Sequence, residues 1–344
     1  MDVPETLLKA IKSFRCSLRN SFYCVEHDVD VDGVAAGIIT AVALRRTGYE
    51  AEPCAVERAE VFAPDSGALV LTDIAVDNEA ARAVDSALKK GVDVYAIDHH
   101  PWAPGYRERL NAVVNPHFCG VPKASSWNAG LLAYITFRDV VPDYDWLAAV
   151  SAYTDMCIAP WSERLVERFG YENVKATGDS LTAFIAVKGP SELDRILLNS
   201  TKSIRDVLRD DRFKKAKYVF ESAVEKYVRS PSEHALVWDE GKKLMVIEAG
   251  EQYNGLRSVV STRISVKPEF RDWVVAVMGR DQKSQDYKVS IRCQDWEKRV
   301  NVGELARKVA EKLGGAGGGH PAAAGMRIPG SKKEEFVKTL HSLL

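Results

Sequence analysis

The first half of the chain alternates short apolar runs with longer segments in which apolar residues recur at helical spacing. Residues 37–48 and 78–91 have this helical pattern, and Gly91 is placed to end the second segment as its C-cap. Buried strands are predicted at five short runs: 22–27, 51–56, 67–73, 92–100 and 111–116. Strands that alternate with helices build a parallel sheet, so this half predicts a doubly wound, mostly parallel α/β domain. Residues 126–155 predict further packed helices.

The second half begins with charged helices and then returns to an α/β pattern. Long helices are predicted at residues 191–200 and 211–230, and the sequence "SPSE" at 230–233 interrupts the chain. The following pattern predicts strands near 242–249, 272–280 and 287–293, a helix at 301–313 and a glycine-rich loop at 314–325. We therefore expect an N-terminal domain over residues 1–190, a helical connector over 191–232 and a smaller α/β domain over 233–344.

The length and composition indicate a two-domain protein that works away from membranes. A chain of 344 residues is long enough for two domains, each with its own core. No apolar run approaches the roughly 20 residues of a membrane span. The N-terminal residues lack the apolar centre of a signal peptide, so we expect a cytoplasmic protein. Six scattered cysteines without a C-x-x-C pair predict reduced, mostly buried thiols with no zinc role.

The net charge of −1 conceals an asymmetry between the two halves. Residues 1–190 hold 18 Lys and Arg against 26 Asp and Glu, a balance of −8, whereas residues 191–344 hold 29 against 22, a balance of +7. An acidic half suits bound cations and a basic half suits an anionic substrate, although random unevenness is the simpler alternative. A total near zero argues against a protein that coats long duplex DNA through charge alone.

The sequence "HDVDVDG" at residues 27–33 places three carboxylates at every second position. On an extended strand Asp28, Asp30 and Asp32 would share one face, where they repel each other unless a cation lies among them. A solvated acidic surface is the simplest alternative. An EF-hand loop is excluded because Val31 and Gly33 break its pattern and no glutamate stands at its twelfth position. The position after a predicted strand and before a helix favours a ligand site, because open α/β sheets bind ligands there.

Further acidic and histidine residues end other predicted elements: Asp73, then Asp98, His99 and His100, and finally Asp155. The carboxyl ends of neighbouring parallel strands lie along one crevice, so the residues that end strands should converge there, and Asp155 would reach the same rim from a helix. Carboxylates mixed with imidazole favour manganese, iron, cobalt or zinc over calcium. Two such ions roughly 3.5–4 Å apart would activate a water molecule, which predicts metal-assisted hydrolysis of a phosphate ester or anhydride.

The second half offers groups that could hold an anion. Gly317, Gly318 and Gly319 precede His320 and leave backbone N–H groups open to a phosphate, although a merely flexible loop is the alternative. Arg292 stands on a predicted strand, and arginine binds phosphate through two parallel hydrogen bonds. These residues predict a substrate-binding surface in the basic half of the chain.

Taken together, these motifs resemble the DHH phosphoesterase family, in the branch that carries a C-terminal DHHA1 domain and includes RecJ-like exonucleases and nanoRNases. "DVDVDG" resembles the first motif of the family, the "LTD" that ends in Asp73 the second, "DHH" at 98–100 the third and Asp155 the fourth. "GGGHPAAAG" at 317–325 resembles the DHHA1 signature. The motifs occur in the expected order over nearly the whole chain.

The resemblance implies a role for each matching residue. Asp73 would bridge two manganese ions, for which magnesium or cobalt could substitute. The remaining metal ligands divide into two sets: Asp28 and Asp30 for the first ion, and Asp32, His99 and Asp155 for the second. His100 would contact the scissile phosphate, and Asp98 would orient the histidines from behind. Arg292, the glycines and His320 would hold the non-scissile end of the substrate.

One position departs from the pattern of the family members that act on small substrates. Many of those members have a histidine four residues before the first of the paired aspartates, and that position is Glu26 here. Asp28, two residues before the pair, matches the RecJ pattern instead and is therefore assigned to the first ion. His27 would point to the opposite face of the strand, and we interpret it as structural.

The resemblance predicts a two-metal phosphodiesterase that releases nucleoside monophosphates from single-stranded DNA or RNA, or from short oligonucleotides. A phosphatase or phosphodiesterase acting on adenosine 3′,5′-bisphosphate or cyclic dinucleotides is the alternative within enzymes. A non-catalytic replication scaffold is the alternative outside them, but degenerate members lose metal ligands and this chain has all of them. The family also leaves room for a homodimer and for replication or repair proteins as partners.

Overall fold

A parallel sheet of five strands forms the centre of the first half of the protein. The computed structural model describes residues 3–57, 60–77, 80–157, 160–250, 253–281 and 284–344. In this half the strands are β1 (Phe22–His27), β2 (Glu50–Ala55), β3 (Ala68–Thr72), β4 (Asp93–Ile97) and β5 (Ala112–Val114). The helices are α1 (Glu5–Ser17), α2 (Val31–Arg46), α3 (Ala80–Lys89), α4 (Ala129–Phe137), α5 (Asp145–Thr154), α6 (Pro160–Phe169), α7 (Tyr171–Lys188), α8 (Pro190–Asn199) and α9 (Ile204–Arg209), and α10 (Asp211–Arg229) leads out of it.

The strand order is β2-β1-β3-β4-β5, and every pairing is parallel. The order reverses between β1 and β3, because the chain moves outward to β2 before it returns to the other side of β1. A doubly wound sheet opens a crevice for ligands at this point, beyond the carboxyl ends of the strands. The predicted α/β fold class is confirmed. The helix predicted at 78–91 is present as α3 from Ala80, and residues 78 and 79 lie outside the described residues.

Helices cover both faces of this sheet. Alternate residues of one strand point to opposite sides, so Val70 packs into the core under α1, α2, α4 and α5, whereas Leu69 and Leu71 pack against α3 on the other side. All three side chains are fully buried. Strands covered on both faces are apolar along their whole length, which is the pattern that made them recognisable in the sequence.

The expectation that Asp28, Asp30 and Asp32 share one face of a strand is wrong. β1 ends at His27, and α2 begins at Val31. Asp30 is the N-cap of α2, and its Oδ1 accepts hydrogen bonds from the backbone N–H groups of Asp32 (2.9 Å) and Gly33 (3.0 Å). An aspartate at this position satisfies N–H groups that the helix itself cannot bond, so the local sequence favours a helix start over an extended strand.

The second half contains a mixed sheet of six strands in the order β10-β11-β9-β8-β7-β6. Its strands are β6 (Ala235–Asp239), β7 (Leu244–Glu248), β8 (Val274–Arg280), β9 (Tyr287–Arg292), β10 (Ala316–His320) and β11 (Ala323–Ile328), and its helices are α11 (Leu256–Ser265), α12 (Val302–Leu313) and α13 (Lys333–Leu343). Only β7 and β8 are parallel among these neighbours. A separate core of fully buried side chains, which includes Val246, Ile291 and Phe336, supports this half.

The glycine-rich stretch at 314–325 is not a loop, and that expectation is wrong. Most of it forms an antiparallel hairpin, in which β10 is an edge strand paired with β11. Gly317 lies so close to α12 that a Cβ atom there would come within 2.9 Å of the backbone oxygen of Ala306. The glycines therefore let a strand approach a helix closely.

The chain divides into two compact units, Met1–Lys217 and Tyr218–Leu344, and the division falls within α10. The domain limits predicted above (1–190, 191–232 and 233–344) stay a prediction. None of the helices in the described ranges combines the length and apolar character that crossing a membrane requires.

Candidate metal centre

The imidazole of His99 lies among three carboxylates at the carboxyl edge of the parallel sheet. Its Nε2 is 3.4 Å from Asp73 Oδ1, 3.6 Å from Asp155 Oδ2 and 3.8 Å from Asp32 Oδ2. Asp73 follows β3 and His99 follows β4, whereas Asp32 lies in the first turn of α2 and Asp155 ends α5. Four of the residues predicted as metal ligands are thus brought together at the point where the strand order reverses.

Asp32 is fixed by the helical layer that covers the sheet. Its Oδ1 accepts hydrogen bonds from Ser151 Oγ (2.6 Å), from Asn128 Nδ2 (2.6 Å) and from the backbone N–H of Gly130 (2.8 Å), and its Oδ2 accepts one from Ala129 N–H (2.9 Å). The first turn of α4 therefore presents its unpaired N–H groups to a buried carboxylate, which stabilises the negative charge. A Cβ atom at Gly130 would come within 2.2 Å of Ser151 Oγ, so only glycine fits this approach.

The tight turn between β1 and α2 explains the glycine that follows the acidic run. A Cβ atom at Gly33 would come within 2.3 Å of the backbone oxygen of Asp28, and the backbone cannot move away from it cheaply. Beyond this turn Asp28 and Asp32 both act electrostatically on Asp30. Asp28 and Asp30 both act electrostatically on Asp73, which places them in the same cluster.

Asp73 has a backbone conformation that few residues other than glycine adopt. Its φ is 60°, in the left-handed region, where aspartate and asparagine are enriched among non-glycine residues. Its N–H donates to the carbonyl of Ile97 (3.0 Å), which holds the residue at the end of the sheet. The residue is 2% exposed, and its Oδ1 has no hydrogen-bond partner among the described residues. Strained backbone conformations of this kind are concentrated at functional sites. A buried oxygen without a hydrogen-bond partner also lowers the stability of the folded protein.

The carboxylates of this cluster repel one another. Burial and the charges of Asp32, Asp30 and Asp28 raise the pKa of Asp73 well above its ordinary value. The residue Asp30 as a whole is exposed, but its carboxyl group is shielded from water. This loss of hydration raises the pKa of Asp30 to about 7, and the charges of Asp28 and Asp32 add to the increase. Burial, and then the charge of Asp32, raise the pKa of Asp155. A cation among these groups would remove the repulsion.

The cluster has the dimensions of an ion site. Ligand atoms about 2.0–2.2 Å from a tetrahedral ion lie roughly 3.3–3.6 Å from each other. The distances from His99 Nε2 to the three carboxylate oxygens are in this range or slightly longer, and too long for hydrogen bonds. The unpartnered Oδ1 of Asp73 lies within this set and also 3.8 Å from His100 Nδ1. The residues therefore fit divalent metal ions with mixed oxygen and nitrogen ligands.

Asp98 supports the histidine side of the cluster from beneath. Its Oδ1 lies 2.8 Å from His100 Nδ1, and its Oδ2 accepts a hydrogen bond from Trp102 Nε1. Asp98 is fully buried, and burial alone would raise its pKa. The hydrogen bond to His100 and the charges of His100 and His99 have a larger effect, so the pKa of Asp98 is lowered. A carboxylate that stays ionised fixes the orientation of His100. Trp102 was not predicted as a site residue, although it follows "DHHP" directly in the sequence.

Cys157 lies at the same cluster, although the scattered cysteines were expected to have no zinc role. Its Sγ donates to Asp155 Oδ2 at 2.9 Å, and burial, with the charge of Asp155, raises the pKa of the thiol. A ring nitrogen of His99, an oxygen of Asp155 and Cys157 Sγ all lie within 4.8 Å of one another. Cys157 follows Asp155 by two residues in the sequence, but the two meet His99 only when α5 reaches the sheet, so spacing alone could not have identified the cluster.

Asn128 and Ser151 were also missed by sequence reasoning. Both are fully buried and both bond Asp32. The only signals in the sequence are a polar residue directly before the apolar helix α4 and a serine within the apolar helix α5. Neither signal specifies a partner.

Glu26 and His27 point away from each other at the end of β1. Glu26 is fully buried, its carboxylate accepts a bond from the backbone N–H of Phe62 (3.3 Å), and burial raises its pKa to about 8. His27 is also fully buried, and its Nε2 lies 3.2 Å from Asp194 Oδ2 of α8. The structure thus ties His27 to the helical layer.

The end of α5 offers a test of its local geometry. Met156 has φ 54° and is 89% exposed, so it carries the strain of a left-handed residue without packing in return. We expect Met156→Gly to stabilise the protein by about 0.5–1 kcal/mol, because glycine adopts this conformation without strain. Thermal unfolding should show a higher melting temperature for Met156→Gly than for the wild type. Met156→Ala, which removes the same side chain but keeps the strain, is the control, and equal melting temperatures for the two variants would contradict the explanation.

The residues predicted to bind substrate form one row across the second sheet. Arg292 of β9 pairs with Ala323 of β11, and Ala323 pairs with His320 of β10. Residues directly opposite each other on neighbouring strands point to the same face, so Arg292 and His320 share a face. Gly317, Gly318 and Gly319 precede His320 on the edge strand.

The guanidinium of Arg292 is held by neutral groups. It donates to Ser258 Oγ (3.0 Å), to Thr262 Oγ1 (3.3 Å) and to the carbonyl of Ala324 (3.3 Å). Among the described residues no carboxylate lies within ion-pair distance of it, and burial lowers its pKa. A half-buried positive charge whose described neighbours include no acidic partner is suited to an anion.

Sequence comparison identifies both halves of the chain. Residues 21–136 match the DHH family N-terminal domain, and residues 241–344 match the DHHA1 domain. The chain belongs to the DHH phosphoesterase family, in the branch with a DHHA1 domain, as its motifs predicted. An uncharacterized protein of Methanocaldococcus jannaschii is 37% identical over 73 residues, which is 21% of this chain and 21% of the length of that relative.

Solved structures share the fold over nearly the whole chain. The DHH domain of a member of a family of ribosomal proteins is 17% identical, with a TM-score of 0.72, and the match covers 98% of this chain and 89% of that one. A crystal structure of exonuclease RecJ bound to manganese is 20% identical, with a TM-score of 0.68, and the match covers 99% of this chain and 95% of that one. At these identities the likeness concerns the fold.

Proposed function

We propose that this protein is a manganese-dependent phosphodiesterase that releases nucleoside monophosphates from single-stranded nucleic acid or short oligonucleotides. The observation that carries the proposal is the convergence of Asp32, Asp73, His99 and Asp155 around one position, with an unpartnered oxygen of Asp73 facing it. The fold shared with a manganese-bound exonuclease over 95% of that chain supports nucleic acid as the substrate class.

The proposed ligand sets follow the geometry of the cluster. Asp32, His99 and Asp155 would hold one ion, Asp28 and Asp30 the other, and Asp73 would contribute to both. Ions bound there supply Lewis acidity to a phosphate oxygen and lower the pKa of a bound water molecule. The hydrogen bonds that fix Asp32 and the backbone that fixes Asp73 hold these ligands in place before substrate arrives, which avoids reorganisation during the reaction.

His100 is the residue proposed to act on the phosphate itself. Its Nδ1 is bonded to the ionised Asp98, an arrangement that favours a protonated imidazole. A protonated imidazole beside the reacting phosphate can stabilise developing negative charge or give a proton to the leaving oxygen. Asp98 does not touch the substrate in this scheme, and it acts by orienting and charging His100.

The row of Arg292 and His320 is proposed to hold the part of the substrate that is not cleaved. Among the described residues no acidic side chain pairs with Arg292, and the glycines of β10 lie in the same sheet, on the far side of β11 from Arg292. A phosphate of the bound strand would provide the missing negative charge.

A substrate panel tests the proposed function. A dinucleotide, a longer single strand of RNA, the same strand of DNA, adenosine 3′,5′-bisphosphate and a cyclic dinucleotide are each incubated with Mn²⁺, with the oligonucleotides labelled at either end. Release of mononucleotides from the oligonucleotides is the expected result, and a chelator should stop it. Hydrolysis of the bisphosphate or the cyclic dinucleotide alone would replace the proposal with the small-substrate alternative. No hydrolysis of any substrate would contradict enzymatic activity.

Arg292→Ala should weaken substrate binding without changing the chemical step. Loss of a charge-assisted hydrogen bond of about 1.5–3 kcal/mol predicts a KM roughly 10–100 times higher with a similar kcat, because the contact is the same before and during the reaction. Steady-state kinetics on a short oligonucleotide measures both constants. The control is Arg327→Ala, since Arg327 is exposed and pairs with Asp286 at 3.4 Å. A fall in kcat with unchanged KM would contradict the anchoring role.

A further inference from the structure

The thiol of Cys157 lies beside the metal position that His99 and Asp155 define. Its Sγ donates a hydrogen bond to Asp155 Oδ2 at 2.9 Å, and Cys157 Sγ, an oxygen of Asp155 and a ring nitrogen of His99 all lie within 4.8 Å of one another, close enough together to hold one ion. The residue is buried, so its sulfur faces the protein interior together with the cluster. The ligands assigned from the family motifs are oxygen and nitrogen atoms only.

The backbone at the end of α5 places Asp155 and Cys157 together. The N–H of Met156 donates to the carbonyl of Tyr153 (3.1 Å), and the N–H of Cys157 donates to the carbonyl of Ala152 (2.9 Å). With Met156 in the left-handed conformation, these bonds form a Schellman motif, which folds the chain back over the last turn of the helix. The position of Cys157 therefore follows from a hydrogen-bonded helix end.

A second observation indicates that an ion belongs at this position. Asp73 Oδ1 is buried, lacks a hydrogen-bond partner among the described residues, and lies 3.4 Å from His99 Nε2, the nitrogen that is also 3.6 Å from Asp155 Oδ2. A buried carboxylate oxygen without a donor requires a cation or a proton. Cys157 and Asp73 thus both belong to the cluster around His99, in which Asp73 itself needs a positive partner.

We propose that Cys157 is a sulfur ligand at the His99–Asp155 position and gives that position a preference for thiophilic divalent ions. The inference rests on the metal centre proposed above. Oxygen ligands favour hard ions such as Mg²⁺ and Mn²⁺, whereas a thiolate favours Zn²⁺, Co²⁺ or Cd²⁺. On binding, the S–H···O bond to Asp155 is exchanged for a sulfur–metal bond, and the thiol proton leaves to the buffer.

Cobalt provides a direct readout of sulfur ligation. The full-length protein, freed of metal and reduced, is titrated with Co²⁺ without oxygen, and the near-ultraviolet absorption of a thiolate–cobalt bond is recorded. The wild type should show this band and Cys157→Ser should lack it, while the serine hydroxyl still donates to Asp155. Cys16→Ser is the matched control, because Cys16 is an exposed thiol, and it should keep the band.

Affinities measured by calorimetry complete the test. Cys157→Ser should weaken Cd²⁺ binding roughly 10–100-fold and leave Mn²⁺ binding within about threefold. A wild-type cobalt complex without the sulfur band, or equal losses for Cd²⁺ and Mn²⁺, would overturn the role of Cys157 and leave the metal centre intact. A wild type that binds none of these ions would overturn both proposals. The wild-type spectrum decides the question even if the serine variant does not fold.

Discussion

Replacing Asp73 with asparagine should slow hydrolysis on the order of a thousandfold and at the same time stabilise the metal-free protein. Asparagine has the same shape and tolerates the φ of 60°, so the backbone can keep its conformation. The substitution removes one negative charge from a buried, mutually repelling cluster, which is why the metal-free protein should melt at a higher temperature. The substitution also removes the proposed bridging ligand of the two ions. Losing several kcal/mol of the transition-state stabilisation that the ions provide lowers the rate of hydrolysis on the order of a thousandfold.

Melting curves with chelator and with excess Mn²⁺ separate the two effects. The wild type should gain about 2.7 kcal/mol when the ion is present at 100 times its dissociation constant, and Asp73→Asn should gain much less. Asp139→Asn is the control, because Asp139 is a partly exposed carboxylate paired with Arg15 at 2.7 Å, and it should leave activity and ion binding unchanged. Near-normal turnover by Asp73→Asn would refute the assigned bridging role.

The second large effect concerns Glu26 and the stability of the metal-free protein as the pH rises. Burial raises the pKa of Glu26 to about 8 in the folded protein, whereas the pKa of glutamate in an unfolded chain is about 4.3. Between these values the folded state holds one more proton than the unfolded state. Stability therefore falls as the pH rises through this window, by about 1.4 kcal/mol per pH unit, and is fully retained only below the lower value. The total reaches roughly 5 kcal/mol at pH 8.

Glu26→Gln should remove this loss, because glutamine keeps the shape of the side chain and cannot ionise. Urea unfolding of both proteins in chelator, from pH 5 to pH 8, gives the difference between their free energies of unfolding. This difference isolates Glu26, because the Asp cluster is present in both proteins. Glu52→Gln, the same change at an exposed position, is the control. A difference for Glu26→Gln that does not vary with pH would show that Glu26 ionises normally.

The parallel sheet could be predicted from the sequence because its strands are covered on both faces. Runs such as residues 68–72 are apolar throughout, and the helical segments between them repeat at 3.6 residues. The crevice followed from that order, and so did the expectation that Asp73 and His99 would meet there. The structure brings the two within 3.4 Å.

Two expectations failed because a local pattern had two interpretations. Aspartates at alternate positions match a strand, but Asp30 bonds the backbone N–H groups of Asp32 and Gly33 and starts α2 instead. Glycines match a loop, but residues 316–320 form an edge strand because β11 supplies a partner from a neighbouring segment. Glycine has no side chain, so a glycine-rich strand shows no alternation that a sequence could reveal.

The groups that position the ligands could not be predicted, because they come from distant parts of the chain. Asp32 is bonded by Asn128 and Ser151, and His100 by Asp98 with Trp102 behind it. Sequence spacing can indicate which residues could bind metal, since those residue types are few. It cannot indicate which amide or hydroxyl will reach them, because that depends on how the helices pack against the sheet.

The bond between Ser151 and Asp32 has a consequence for the order of events during synthesis. The two residues are 119 positions apart, so the ribosome must complete α5 before Asp32 acquires its full set of partners. Until then Asp32 lacks those hydrogen bonds. The carboxylates that follow β1 and β3 also lack two of their neighbours in the finished cluster, the imidazole of His99 and the carboxylate of Asp155. Contacts this distant in sequence form late, because a long segment of chain must first be ordered. The ion can therefore be held only by a nearly complete N-terminal half, and a prematurely ended chain would present an acidic cluster without its cation.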